Sequence, residues 1–242
     1  MLKVYPILCR AGKMDNYAYL LLDEATGVSA VIDPSEAAPI IKKCAELGVK
    51  PDYILNTHHH FDHTDANEEL EELYGAKVVA NINDAARIPG FDIGVEPGGT
   101  FALGESIAEI IDVSAHTQGH ILWYFPKDKV VFTGDTLFNL CVGGLFEGSV
   151  EEMYAALQKI KQLPDDVLFY PGHEYTMPSV PMALHLLPDS PVLPQYIQNA
   201  RQRLAQNLPV APVALGIEKQ CNPYLHADSL ACLLYTSPSP RD

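Results

Sequence analysis

Short apolar runs and polar turns alternate along most of the chain, and the runs are of two kinds. Residues 3–9, 17–22, 28–32, 53–56, 78–80, 108–113, 122–125, 130–132 and 167–170 are brief and rich in β-branched and aromatic side chains, as strands are. Residues 39–47, 65–74 and 150–161 instead space their apolar side chains as helices do. Met153, Leu157 and Ile160 stand at i, i+4 and i+7, and Gly48 and Gly75 stand where the first two helices should stop. Gly98-Gly99 marks a turn ahead of Phe101 and Leu103. After Tyr175 the character changes. Prolines crowd in at 178, 181, 188, 191 and 194, and residues 182–187 and 195–207 read as helices. The rhythm predicts an α/β layered domain followed by a smaller helical one.

Four of the predicted strands run into loops that carry metal-ligand side chains. Tyr53-Ile54-Leu55 leads into Thr57-His58-His59-His60-Phe61-Asp62-His63, which contains His-x-His-x-Asp-His. The run 110–113 leads to His116 and His120. Val130-Val131-Phe132 leads to Asp135, and Val167-Leu168-Phe169 leads to His173. Imidazole and carboxylate suit zinc, iron or manganese. Strand-end loops gathered at one edge of a sheet sandwich can aim such groups at one point. A solvated polar loop is the bland alternative for the His run, and the three further loops argue against it. His59 falls on the opposite side of a strand-like alternation and is expected outside any ligand set. Asp33, after a strand, is expected either to orient the His loop or to cap a helix.

Composition narrows the setting. The chain has 242 residues, 48% of them hydrophobic, and a net charge of −15. Its acidity argues against nucleic acid and against an anionic membrane surface as partners. No apolar run reaches the eighteen residues that suggest a membrane span. The start is too short and interrupted for a signal peptide. Five scattered cysteines without a Cys-x-x-Cys pair point to reduced thiols in the cytoplasm. Cys141, beside the site, is either an apolar filler or an adventitious ligand.

The phrases Thr-His-x-His-x-Asp-His, His-Thr-x-Gly-His, Thr-Gly-Asp-Thr-Leu-Phe, Phe-Glu-Gly and Gly-His-Glu-Tyr-Thr occur together, in this order, between about Val4 and Leu225. The chain thereby resembles the glyoxalase II (hydroxyacylglutathione hydrolase) family of the metallo-β-lactamase superfamily. The resemblance implies an αββα sandwich over residues 1–173 and a helical substrate-binding domain over 174–231. It implies two divalent ions, zinc first, with iron or manganese as alternatives. His58, His60 and His116 would hold one ion; Asp62, His63 and His173 would hold the other; Asp135 would bridge them. Asp62 and Asp135 are the expected catalytic carboxylates, and His120 a structural hydrogen-bonder. The implied reaction is hydrolysis of S-D-lactoylglutathione to D-lactate and glutathione, by a hydroxide shared between the ions, in a monomer acting on a small-molecule thioester. Tyr175, Phe146, Gly144 and His226 are the expected substrate contacts.

Two departures bear on the thiol. The family usually has a basic residue where Gly144 stands, two places before Phe146, and Arg where His226 follows Asn222-Pro223-Tyr224-Leu225. Each lost cation removes a charge-assisted contact worth about 1.5–3 kcal/mol. A thioesterase for another thiol carrier therefore stands as an alternative. So do a persulfide dioxygenase-like enzyme, which the Gly144-Leu145-Phe146-Glu147 stretch disfavours, and a metal-binding but inactive truncated fragment. The final stretch, Cys232 to Asp242, breaks the preceding pattern and looks like the translation of a sequencing-library adapter. It is expected to be a disordered assembly scar, with the natural chain diverging near Ala231.

Overall fold

The computed structural model describes residues 1–227. The expected scar at 232–242 lies outside the described residues. The first half builds one six-stranded sheet from β1 (Leu2–Cys9), β2 (Asn16–Asp23), β3 (Ser29–Ile32), β4 (Tyr53–Leu55), β5 (Lys77–Asn81) and β6 (Phe91–Val95), paired in sequence order. The pairs β1–β2–β3 are antiparallel and β3–β4–β5–β6 parallel. The second half gives β7 (Thr100–Leu103), β8 (Ser106–Asp112), β9 (Ile121–Phe125) and β10 (Val130–Gly134). A two-stranded hairpin, β11 (Leu137–Phe138) and β12 (Cys141–Val142), follows, and then β13 (Leu168–Pro171) and β14 (Val213–Ala214). The second sheet runs β14-β13-β10-β9-β8-β7, with β10 and β13 parallel.

Layering explains why several strands read as unbroken apolar runs rather than alternating ones. Every residue of β9 and β10 is buried. One face of each meets the other sheet and the other face meets helices, so neither face needs polar residues. Trp123, Phe125 and Phe132 point between the sheets and pack with Tyr19, Leu21, Ile32, Leu55 and Val79. Leu122, Tyr124 and Val131 point outward onto Met153, Ala156, Leu157 and Ile160. The outer face of the first sheet, with Leu20, Val31, Ile54 and Val78, is covered by Ile40, Cys44 and Leu70. The covering helices are α1 (Ala37–Leu47), α3 (Asn67–Tyr74) and α4 (Val150–Gln162); the single turn α2 (Phe61–Thr64) lies inside the His motif. Gly48 and Gly75 end α1 and α3 in left-handed conformation. Ser149 and Glu152 form a reciprocal capping box at the start of α4, a local contribution of about 0.5–2 kcal/mol. The architecture is the expected αββα sandwich.

The helical layer departs from expectation in its boundaries. The helix expected over 182–187 begins six residues earlier, as α5 (Thr176–Leu186). Pro178 sits in its first turn, where a missing N–H costs nothing, and only Pro181 interrupts its bonding. Then follow α6 (Leu193–Ala205), α7 (Leu215–Cys221) and a 3₁₀ turn over Pro223–His226. Leu140, at the tip of the β11–β12 hairpin, is buried among Val180, Ala183, Leu193, Tyr196, Ile197 and Cys221. The hairpin thus plugs into the helical layer. Among the described residues no helix is long and apolar enough to cross a membrane.

Candidate metal centre

The ends of β3, β4, β10 and β13 and the β8–β9 loop meet at one rim of the sandwich. The seven motif residues come together there. Donor atoms of His58, His60 and His116 lie within 4.8 Å of one another, as do those of Asp62, His63 and His173. Asp135 lies between the groups. Its Oδ1 is 3.2 Å from His63 Nε2, and its Oδ2 is 3.3 Å from His173 Nε2 and 3.5 Å from His116 Nε2. His60 Nδ1 faces His116 Nε2 at 3.0 Å.

The imidazoles are held from behind. His116 Nδ1 donates to the Gly144 carbonyl at 2.7 Å, and His173 Nδ1 donates to the Met14 carbonyl at 2.8 Å. His63 Nδ1 donates to Asp33 Oδ2 at 3.0 Å. His58 Nδ1 faces Thr57 Oγ1 at 3.0 Å, and that hydroxyl donates to Asp33 Oδ2 at 2.7 Å. Each of these four rings therefore turns Nε2 toward the common space, the tautomer a ligand needs. Asp33 does not cap α1, whose N-cap is Glu36. It orients two of the histidines from a left-handed backbone position (φ 47°), unusual for a non-glycine residue. Asn16 Nδ2 donates to the Asp62 backbone carbonyl and to Oδ2, at 2.9 and 3.0 Å.

Burial and charge sort the groups. Desolvation lowers His58 well below its ordinary value, reinforced by the charge of His63. Desolvation also brings His60 down to about 4, with His116 adding to the shift. Burial pushes the Asp62 carboxyl up, but the hydrogen bond from His173 and the charge of His63 outweigh it and hold it low. Burial acts likewise on Asp135, where His173 and His63 win. Desolvation opposes protonation of His173, yet Asp135 lifts it to about 9.

These residues fit a pair of cations. His58 Nε2 is buried with no hydrogen-bond partner. Asp135 Oδ1 also makes no hydrogen bond, although His63 Nε2 lies 3.2 Å away. A buried lone pair left unmatched costs about 1–3 kcal/mol; a cation held among these converging nitrogen and carboxylate ligands would offset that cost. Close approach also requires glycine: a Cβ on Gly172 would overlap the Asp135 carboxylate and lie 2.7 Å from the His63 ring.

The other expected site residues divide. Tyr175 stacks on His173 with centroids 4.7 Å apart, Phe146 stands edge-on over His60 and His116 at 5.2 and 5.1 Å, and Gly144 shares their cavity. His226 does not line the cavity; its turn presents Tyr224 instead. His59 turns away toward Asp84 and Glu147, each 3.5 Å distant. It does so from a loop entering α2 rather than from an extended strand. His120 stacks on His58 and accepts from Asp135 N–H at 3.1 Å, a structural role. His185 is exposed on α5. Asn16, Met14 and Met182 carry no motif in the sequence, and only the folded arrangement brings them to the rim; Phe138 closes the Thr-Gly-Asp-Thr-Leu-Phe phrase, but nothing in that phrase marks it as a cavity residue.

Comparison with known proteins agrees with this geometry. Residues 12–173 match the metallo-beta-lactamase superfamily, and residues 174–238 match the hydroxyacylglutathione hydrolase C-terminus. The chain belongs to the hydroxyacylglutathione hydrolase family of the metallo-β-lactamase superfamily. It is thereby an enzyme of a hydrolase family. A protein of Rhodospirillum rubrum named hydroxyacylglutathione hydrolase is 42% identical over 215 residues, 89% of this chain and 84% of that protein. Among solved structures, TTHA1623 in a di-iron-bound form is 27% identical, with a TM-score of 0.59 over 70% of this chain and 92% of that one. A metallo-beta-lactamase from Staphylococcus aureus, 18% identical, shares the fold over 99% of this chain and 68% of its own, with a TM-score of 0.72.

Proposed function

We propose that the chain hydrolyses small-molecule S-acyl thioesters with two divalent cations, acting as a cytoplasmic monomer, and that S-D-lactoylglutathione, cleaved to D-lactate and glutathione, is its first substrate. The observation that carries the reading is the pair of donor clusters on either side of Asp135, opening into a cavity of about 340 Å³. His58, His60 and His116 would hold one ion and Asp62, His63 and His173 the other, with Asp135 reaching both; zinc suits the set best, and iron or manganese are compatible. When bound, such ions make water a nucleophile at neutral pH and polarise a carbonyl oxygen.

The chain's own residues do the rest. Asp33, Thr57, Asn16 and the Gly144 and Met14 carbonyls fix the donors, so little reorganisation accompanies reaction. Phe146 and Phe138 flank the ring donors and keep that end of the cavity apolar. Met14, Met182 and Tyr224 line the remaining wall, where the thiol arm would lie. A departing thiolate needs no separate proton donor, because a thiol pKa of about 8.5 makes the thiolate a weak base and a good leaving group.

A second reading, a thioester of another thiol carrier, is favoured by that wall: among the described residues its lining includes no Lys or Arg to meet glutathione's carboxylates. One comparison tests both. Thiol release from S-D-lactoylglutathione should exceed release from lactoyl thioesters of uncharged thiols; the reverse order would transfer the assignment to the second reading. Absence of any thioester cleavage by metal-loaded protein would reject both.

A further inference from the structure

The β11–β12 hairpin joins the metal centre to the helical layer, and its tip closes on a buried carboxyl group. Leu140, at the turn, holds a left-handed backbone (φ 64°) that a non-glycine residue keeps only when its surroundings impose it. Its N–H donates to Glu218 Oε1 from α7. Asn222 Nδ2 donates to the same oxygen at 3.1 Å, and also to the carbonyls of Phe138 at 3.1 Å and Cys141 at 3.2 Å, one on each strand of the hairpin. Tyr196 Oη donates to Glu218 Oε2 at 2.9 Å and accepts from Asn139 Nδ2 at 2.7 Å. Glu218, Asn139, Leu140 and Asn222 are wholly buried. Beyond the turn, the chain runs through Cys141 and Val142 of β12 and then Gly143 and Gly144, all of which line the cavity, and Gly144 carries the carbonyl that holds His116.

We infer that Glu218 is a positioning residue for the thioester site: its carboxylate, with Asn222 and Tyr196, clamps the hairpin tip and so sets the wall from Leu140 to Gly144. This rests on the reading of the cavity as the substrate site. All three partners donate to the carboxylate, so geometry, rather than a neighbouring cation, keeps it in place. The titratable groups facing it are the Tyr196 phenol and the Cys221 thiol, both pushed up by burial. Burial likewise lifts Glu218, to about 7. A glutamine at 218 can keep the clamp. Its oxygen would accept from Leu140 and Asn222, and its amide would donate to Tyr196, whose hydroxyl would turn to Asn139 Oδ1, a buried atom now without a partner.

The test measures amide exchange and steady-state kinetics on the full, metal-loaded chain. In Glu218→Leu, exchange over residues 137–144 should rise about a hundredfold while β2 amides stay protected, and KM should rise about tenfold with kcat changed less than about threefold. Glu218→Gln should restore KM to within about twofold. If Glu218→Leu does not fold, Tyr196→Phe, which removes one donor and keeps the ring, should raise KM about threefold and loosen the same amides. Unchanged exchange at 137–144 in the folded variant, or a Gln variant as impaired as the Leu variant, would overturn the inference. A wild-type chain without thioesterase activity would sink the substrate reading alone, because the exchange measurement tests the clamp independently.

Discussion

The cavity has two walls of different make. The floor is the rim of the sandwich, where strand ends deliver seven donors and each buried imidazole is tied from behind by a carboxylate, hydroxyl or carbonyl. The opposite wall is the hairpin and α5, mostly apolar, anchored through one buried network around Glu218. On the floor, chemistry dictates residue type, because only certain side chains bind a cation. On the far wall, shape dictates it, and many apolar residues fill a shape equally well. Substitutions on the floor should therefore abolish reaction, and those on the wall should retune it.

The largest effect is expected at Gly172. Gly172→Ala drives a methyl group into the Asp135 carboxylate and the His63 ring, so metal content and thioester hydrolysis should fall together by about a hundredfold or more; elemental analysis beside a kinetic assay reads this. Full metal loading in that variant would show the floor to be less tightly specified than the contacts indicate. Asp33→Ala removes the acceptor behind His63 and Thr57, and a loss of about 10–100-fold in metal affinity is expected in a competitive chelator titration.

The wall gives smaller, differently shaped effects. The folded Glu218 carboxyl titrates near 7 rather than at its ordinary 4.5 because burial disfavours the charge. A carboxyl with a raised folded value contributes stability that is fully present below about pH 4.5 and lost as pH rises through 7. Relative to wild type, Glu218→Gln should gain only about 1 kcal/mol at pH 5 but roughly 3 kcal/mol at pH 8, the latter a gap on the order of 5–10 °C in Tm. A gap that shrinks with rising pH would contradict the burial of an ionisable group there. Phe146, exposed and standing over His60 and His116, should matter least: Phe146→Ala is expected to raise KM about threefold, with metal content unchanged.

The same division governs what could be read in advance. The alternation of strands and helices and the four ligand-bearing loops are legible in the apolar runs alone, whereas the αββα sandwich and the set His58, His60, Asp62, His63, His116, Asp135 and His173 are what the family resemblance implies, and these seven residues meet in the folded chain. Position 33 was readable only as a choice between orienting and capping, because its contact with His63 spans thirty residues. The start of α5 was hidden by Pro178, which a helix tolerates in its first turn. The hairpin of 137–142 is too short to show a period, and α7 carries Glu218 on a seven-residue helix with no marker of its burial. His226 was expected in the cavity from its place after Asn222-Pro223-Tyr224-Leu225, but the 3₁₀ turn presents Tyr224 there.

The most direct test is to quantify metal in the purified chain and in Asp135→Ala while following thiol release from S-D-lactoylglutathione. Two metal equivalents per chain, hydrolysis that stops on chelation and returns with metal, and loss of both in Asp135→Ala are the predicted results. Thioester hydrolysis that persists in metal-free protein, or in Asp135→Ala, would contradict a metal centre built on these seven residues.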